Sequence, residues 1–230
     1  MSSLVVSRAR REQLKSAFAI LGASGSGKTT NALVLAYGMM KEKYPKLKDD
    51  KIWEKIGLLD SERNRSLVFV GTKQMGVDIG EFWHIPFSAP YTVDRYVEGT
   101  QLLKNSGCEV VILDSITHAW DGADGLLDLQ QAKGGNFQAW RDVNPDYDRF
   151  TNLVTGDLVD VNMISTIRTK QKHEMQPTET GQFEVKKLGL QPVQRDSLEY
   201  EFQVVFNIDM EHNIRTSKDN SGLFDGQVIR

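Results

Sequence analysis

Apolar residues along the chain collect in three short unbroken runs, and each run ends on a glycine or an acid. "SAFAILG" stops at Gly22, "KIGLLD" at Asp60 and "CEVVILD" at Asp114. Runs of this length without polar alternation fit strands covered on both faces, and helical spacing between them fits parallel crossover units. The spacing predicts one helix over 29–43 and another over "TVDRYVEGTQLLKNSG", which carries its own glycine stop. Between them "YPKLKDDK" reads as a loop, whereas "SLVFVGTK" and "GEFWHIPFS" alternate well enough for short strands. Past a bend at Pro177, "GQFEVKK" alternates as well, and "LEYEFQVVFNID" with "NIRTSKDN" reads as a strand pair closing one sheet edge. The pattern gives an α/β fold, a mostly parallel central sheet flanked by helices with an antiparallel C-terminal edge. Without internal repeats or low-complexity tracts, one domain over 15–230 follows a basic N-terminal arm, 1–14, that carries Arg8, Arg10 and Arg11.

Composition narrows the function classes. With 230 residues the chain can bury a full core, and 40% hydrophobic and 26% charged residues are globular values. A formal net charge of −3 excludes a globally basic nucleic-acid coat but leaves room for a local basic surface. The single cysteine, Cys108, has no internal disulfide partner and sits in an apolar run, where a buried inert thiol is expected; the cytoplasm is the natural compartment. No apolar stretch approaches a membrane span, and "MSSLVVSRARREQ" lacks the layout of a signal peptide. The four scattered histidines and one cysteine show no zinc-ligand spacing.

The chemistry concentrates at the tips of the apolar runs. Gly22, Ala23, Ser24, Gly25, Ser26, Gly27, Lys28 and Thr29 satisfy G-x-x-x-x-G-K-[ST] between a strand and a helix. Glycines let successive backbone N–H groups converge on nucleotide phosphates at a helix N-terminus. Lys28 would reach the β and γ phosphates, the Thr29 hydroxyl would ligate Mg²⁺, and Thr30 fits packing or capping. Asp114, at the carboxyl end of a central strand, reads as the Walker B acid that shares the metal with Thr29; capping the next helix is the alternative, which Ser115 could also serve. In "LLDSERN", Glu62 follows another strand opening on the same crevice, so it is the candidate to orient or deprotonate water, with Asp60 in support. An unengaged surface glutamate is the competing reading.

"LLDSE" is similar to the acid-small-Glu context in which RecA-like recombinase ATPases place a catalytic glutamate, and "NMISTIRTK" resembles their γ-phosphate sensor strand. With "PVQRD" and the residues after it, the chain resembles the phage Sak-four type of single-strand annealing protein over residues 15–225. The resemblance implies a RecA-like P-loop NTPase core and ATP and Mg²⁺ as cofactors. It also implies DNA-stimulated hydrolysis, single-stranded DNA as partner, a homo-oligomeric ring or filament, and a cooperating single-strand-binding protein in a phage-infected bacterial cytoplasm. It further implies Thr166 as sensor, and Lys218, placed just after the second strand of the edge pair, as a cation reaching a neighbouring subunit's γ-phosphate, with Arg195 competing. In the same analogy "HAWDGADGLLDLQQAKGGNFQAWRDVNPDYDRF" is a loop approaching DNA through Lys133, Phe137, Trp140 and Arg141. Phe137 and Trp140 also fit one face of a helix packed on the core. Lys170, Lys172, Lys186 and Lys187 suit a DNA-binding loop or hairpin, or an ordinary solvated one. Two other functions fit the P-loop: a small-molecule or nucleoside kinase, with "RTKQKHE" as lid, and a non-catalytic ATP-switched accessory protein.

Overall fold

The computed structural model describes residues 6, 8–10, 14–177, 183–224 and 226–229, with side chains outside 171–190. β1 (Ala17–Gly22) leads through the glycine-rich turn into α1 (Lys28–Lys43); α2 (Asp49–Trp53) then precedes β2 (Ile56–Asp60). A single 3₁₀ turn (Arg65–Phe69) and the small hairpin β3 (Lys73–Gln74) and β4 (Val77–Asp78) lead to β5 (Trp83–Pro86). Next come α3 (Val93–Asn105), β6 (Val110–Asp114), α4 (Thr117–Asp121), α5 (Leu126–Ala132) and α6 (Trp140–Val154). The last third supplies β7 (Asn162–Pro177), β8 (Phe183–Pro192), β9 (Val204–Ile208), β10 (Ile214–Asp219) and β11 (Val228–Ile229).

The main sheet has the order β11-β10-β9-β1-β7-β6-β2-β5, and every neighbouring pair from β9 to β5 is parallel. β10 and β11 run antiparallel at one edge, and β8 pairs antiparallel with the outer half of β7. This is a mostly parallel α/β sheet flanked by helices, with antiparallel edge strands. The period of two sorts its residues: Ile20, Leu58, Val110, Ile112 and Ile164 pack beneath α1 and α2. Leu21, Leu59, Val111, Leu113 and Met163 pack against α3 and α6 on the other face. Both β2 and β6 are buried along their whole length, which is why they read as unbroken apolar runs.

The helices follow from the same physics. α1 buries Ala32, Leu33, Ala36 and Met40 on one stripe, and α3 buries Tyr96, Gly99, Thr100 and Leu103 after an N-cap at Thr92. At Gly99 α3 comes close to β2: a Cβ there would lie 2.5 Å from Leu59 Cδ1, so that side chain would have to shift.

Four local expectations need correction. In "SLVFVGTK" only Lys73, which opens β3, is in a strand: Asp60 accepts hydrogen bonds from Ser66 N at 3.1 Å and Ser66 Oγ at 2.6 Å, and these bonds curl the chain into the 3₁₀ turn. "YPKLKDDK" is not all loop, since Asp49 starts α2, which buries Ile52 and Trp53. Residues 118–150 are mostly helical, because Val143, Tyr147, Phe150 and Val154 form a buried stripe. At the C-terminal edge "LEYE" is a 3₁₀ turn, β11 lies outside β10, and Lys218 is inside β10 instead of beyond it. No helix among the described residues is long and apolar enough to cross a membrane.

Candidate functional site

Strand order reverses at β1, whose neighbours lead to β6 and β2 on one side and to β9 on the other. Open α/β sheets bind ligands in the crevice outside the carboxyl ends of their strands at such a point. The turn after β1 fills it. Gly27 has φ 98 and Gly25 φ 84, the left-handed region that side chains avoid. At Gly22 a Cβ would meet Ser26 Oγ at 2.3 Å and the Ile208 carbonyl oxygen at 2.9 Å, so only glycine fits between β1 and β9. Lys28, 9% exposed, donates from Nζ to the carbonyls of Gly22 at 2.9 Å and Ala23 at 2.8 Å. Burial lowers the proton affinity of its ammonium, opposed by the charges of Asp114 and Glu62.

β7 runs between β1 and β6, so Asp114 is not on the strand next to the P-loop. Its carboxylate bridges the gap: Thr29 Oγ1 donates to Oδ2 at 2.6 Å and Thr166 Oγ1 to Oδ1 at 2.5 Å. Asp114 is 1% exposed, and burial pushes its carboxyl up against the pull of both hydroxyls. Thr166 is fully buried on this acid, so its hydroxyl orients Asp114; the sensor expectation had it facing a phosphate. The Thr29 hydroxyl and the Asp114 carboxylate form an all-oxygen pair of the kind Mg²⁺ accepts while keeping waters and phosphates as its other ligands.

Glu62 turns into this crevice beside Asp114. Arg168 clamps its carboxylate from two nitrogens, Nε at 2.7 Å from Oε1 and Nη2 on Oε2, and Ser115 Oγ donates at 3.1 Å. Burial pushes the Glu62 carboxyl up, but Arg168, His118 and Ser115 outweigh it and hold it below the usual glutamate range. Asp60 fixes the backbone beneath by accepting the Glu62 N–H at 2.7 Å. Ser61 accepts the Ser115 N–H at 2.8 Å and lies 2.7 Å from His118 Nδ1, so it ties the ends of β2 and β6 together. The sequence by itself assigns no role to Arg168, Ser61 or His118. No local pattern marks them: Arg168 comes to lie opposite Gly22 only through the pairing of β7 with β1.

The other candidates scatter. Thr30 is half-buried on α1, and Ser24 and Gly25 are exposed at the tip of the turn. Lys218 donates from Nζ to the Tyr200 carbonyl of its own chain. Arg195 lies over the rings of Trp140 and Tyr147, 5.4 and 4.6 Å from their centroids, and donates to Asn144 Oδ1. Trp120 and Trp140 stack with centroids 5.5 Å apart, and with Phe137, Arg141 and Arg195 they line a cleft of ≈ 860 Å³. Phe137 is 89% exposed, so the helix-face reading holds for Trp140, which packs on the core, and fails for Phe137. Lys133 and Lys170 are exposed. Lys172, Lys186 and Lys187 lie on the β7–β8 ribbon, where the backbone but not the side chains is described; Arg11 lies outside the described residues, and Arg8 and Arg10 are exposed.

A family model described as AAA domain matches residues 15–227. No curated protein matches the chain.

Proposed function

Since the chain belongs to the AAA domain family, we propose that it is a Mg²⁺-dependent ATPase that binds single-stranded DNA and promotes annealing or strand exchange. The observation that carries the ATPase reading is the convergence of Lys28, Thr29, Asp114 and Glu62, from three distant segments, on one crevice at the mouth of the P-loop.

In this reading the backbone N–H groups of 23–27 and the Lys28 ammonium bind the phosphates, Lys28 leaving its two carbonyl partners to do so. Thr29 and Asp114 hold Mg²⁺, which when bound offsets phosphate charge. Glu62 orients the attacking water and takes its proton once Arg168 loosens its hold. Thr166 keeps Asp114 in the rotamer that faces Thr29.

The DNA part of the reading is supported by the aromatic cleft and the hairpin. Trp120, Trp140 and the exposed Phe137 offer flat faces for unpaired bases, with Arg141 and Arg195 as cations, and the β7–β8 ribbon carries Lys170, Lys172, Lys186 and Lys187. An assembly of several copies on one strand, as a ring or filament, follows from the recombinase resemblance, with Lys218 as the cation reaching a neighbouring site and a single-strand-binding protein as partner. The test is ATP turnover with Mg²⁺, with and without a single-stranded oligonucleotide at low salt. Stimulated turnover is expected. Turnover without DNA binding would keep the ATPase and remove the recombination role, and phosphate transfer to a nucleoside would favour a kinase.

A further inference from the structure

The N-terminal arm takes no part in the site described above. Residues 4–11 read "LVVSRARR", three aliphatic residues followed by three arginines. Val6 is 100% exposed, so its own chain covers none of it, and Arg8 and Arg10 are exposed beside it.

A surface of complementary character lies on the α1 face of the sheet. At one end, between α1 and the antiparallel edge, an apolar cavity of ≈ 160 Å³ is lined in part by Val34, Leu35, Met75, Phe206, Phe224 and Ile229. At the other, beside α2, a cavity of ≈ 340 Å³ is lined in part by Trp53 and five acids, Asp49, Asp50, Glu54, Asp78 and Glu81. Lys41 pairs with Asp49 and Lys51 with Glu54, whereas Asp50, Asp78 and Glu81 form no ion pair among the described residues. The β3–β4 hairpin joins the two cavities: Met75, in its turn and 53% exposed, lines the first, and Asp78, at the end of β4, lines the second. The hairpin is anchored from below, since Trp53 Nε1 donates to the Asp78 carbonyl at 3.1 Å and Ile79 is buried in the core.

We propose that the arm of one copy docks on this surface of a second copy, its aliphatic residues over the apolar cavity and its arginines against Asp50, Asp78 and Glu81; the proposal rests on the assembly part of the reading above. In an extended arm alternate side chains share a side, so Leu4 and Val6 would face the same way as Arg8 and Arg10. From Val6 to Arg10 such an arm spans about 13 Å, enough to cross the hairpin from the apolar cavity to the acidic one. Burial of the aliphatic residues supplies the attraction. The charges set the direction, because the reversed arm would lay its arginines on an apolar wall without partners. Each copy gives one arm and receives one at a different surface, so the contact can repeat head to tail, as rings and filaments require.

The experiment mixes two full chains of distinguishable mass, one carrying Val6→Cys and the other Met75→Cys, with oxidised glutathione as the oxidant; the native Cys108 is buried. A disulfide between the two chains is expected. Leu102→Cys, 53% exposed on α3 at the opposite face, replaces Met75→Cys as the control and should not cross-link. In sedimentation velocity Arg10→Glu should weaken self-association by roughly 3- to 10-fold, the scale of one exposed ion pair, and Asp78→Lys in the same chain should restore it. Both positions are exposed, so neither change threatens the fold. Cross-linking to neither site, or equally to both, overturns the docking. Self-association indifferent to Arg10→Glu also overturns it and leaves assembly standing, and if oligonucleotide binding falls instead, the arm belongs to DNA. A chain that sediments as a monomer at every concentration, with and without a single-stranded oligonucleotide, removes the assembly reading and the docking with it.

Discussion

Arg168→Met is the most informative single change, because it removes the cation from Glu62 while keeping much of the apolar stem. Glu62 would retain Ser115 Oγ, 3.1 Å away, as a side-chain donor. The Glu62 side chain is 16% exposed and that of Arg168 40%, so the pair lies between two regimes. Exposed pairs contribute about 0.2–1 kcal/mol, and removing one partner of a fully buried pair costs about 3–5 kcal/mol. A bidentate, half-buried pair falls near 2 kcal/mol, and at about 2–4 °C per kcal/mol for a chain of this size the melting temperature should drop by about 4–8 °C near neutral pH. The pH dependence is diagnostic. The net effect on Glu62 is a depressed carboxyl pKa, so the pair's stabilisation is fully present above the unfolded-state value and is lost as pH falls through the folded-state value. The gap in melting temperature between the two proteins should therefore close in acid. With Arg168 gone, burial is left to push the carboxyl up, so the acid limb of the ATPase pH profile should move to higher pH. Thermal melts and turnover measured from acid to neutral pH check both statements. A gap that is the same at every pH would refute the ion-pair argument, whatever its size.

Glu62→Gln should keep nucleotide affinity and lower turnover by about 10²-fold or more, as loss of a general base does; single-turnover assays with radiolabelled ATP read it directly. Thr166→Val should cost about 1.5–3 kcal/mol, because Asp114 loses a buried charged hydrogen bond, and calorimetry should show a melting temperature lower by about 3–12 °C. Phe137→Ala should leave DNA-independent ATPase untouched and weaken oligonucleotide binding by about 1–3 kcal/mol in fluorescence anisotropy. Cys108, buried with its thiol pushed up to about 12, should resist thiol reagents in the folded chain and react on unfolding, as mass spectrometry would show.

The parts of the fold legible in sequence were those where a single periodicity acts alone. β2 and β6 are covered on both faces, so nothing interrupts their apolar runs, and the P-loop writes its glycines where backbone geometry demands them. Residues 66–69 read as strand because Val68 and Phe69 favour one, whereas the Asp60 carboxylate captures the Ser66 N–H and hydroxyl and bends the chain. α6 was obscured by Pro145 and by acids at 142, 146 and 148, although its buried stripe is regular. Within the site, acids at strand tips could be located, but their partners could not. Arg168 meets Glu62 across 106 residues, and only the placement of β7 between β1 and β6 brings Thr166 onto Asp114. Such contacts depend on strand order, which local patterns do not encode.

That β1 is paired on both sides with late-arriving backbone has a consequence for how the protein is made. Ala17 aligns with Met163 and Phe18 with Val204, so a growing chain emerges with its glycine turn and both strand-tip acids long before either flank of β1 exists. Until β7 and β9 leave the ribosome, β1 has two open edges and relies on chaperones or chance to avoid pairing with a stranger. A fragment ending before Asn162 would carry Lys28, Glu62 and Asp114 and still lack the strands that hold them in one place.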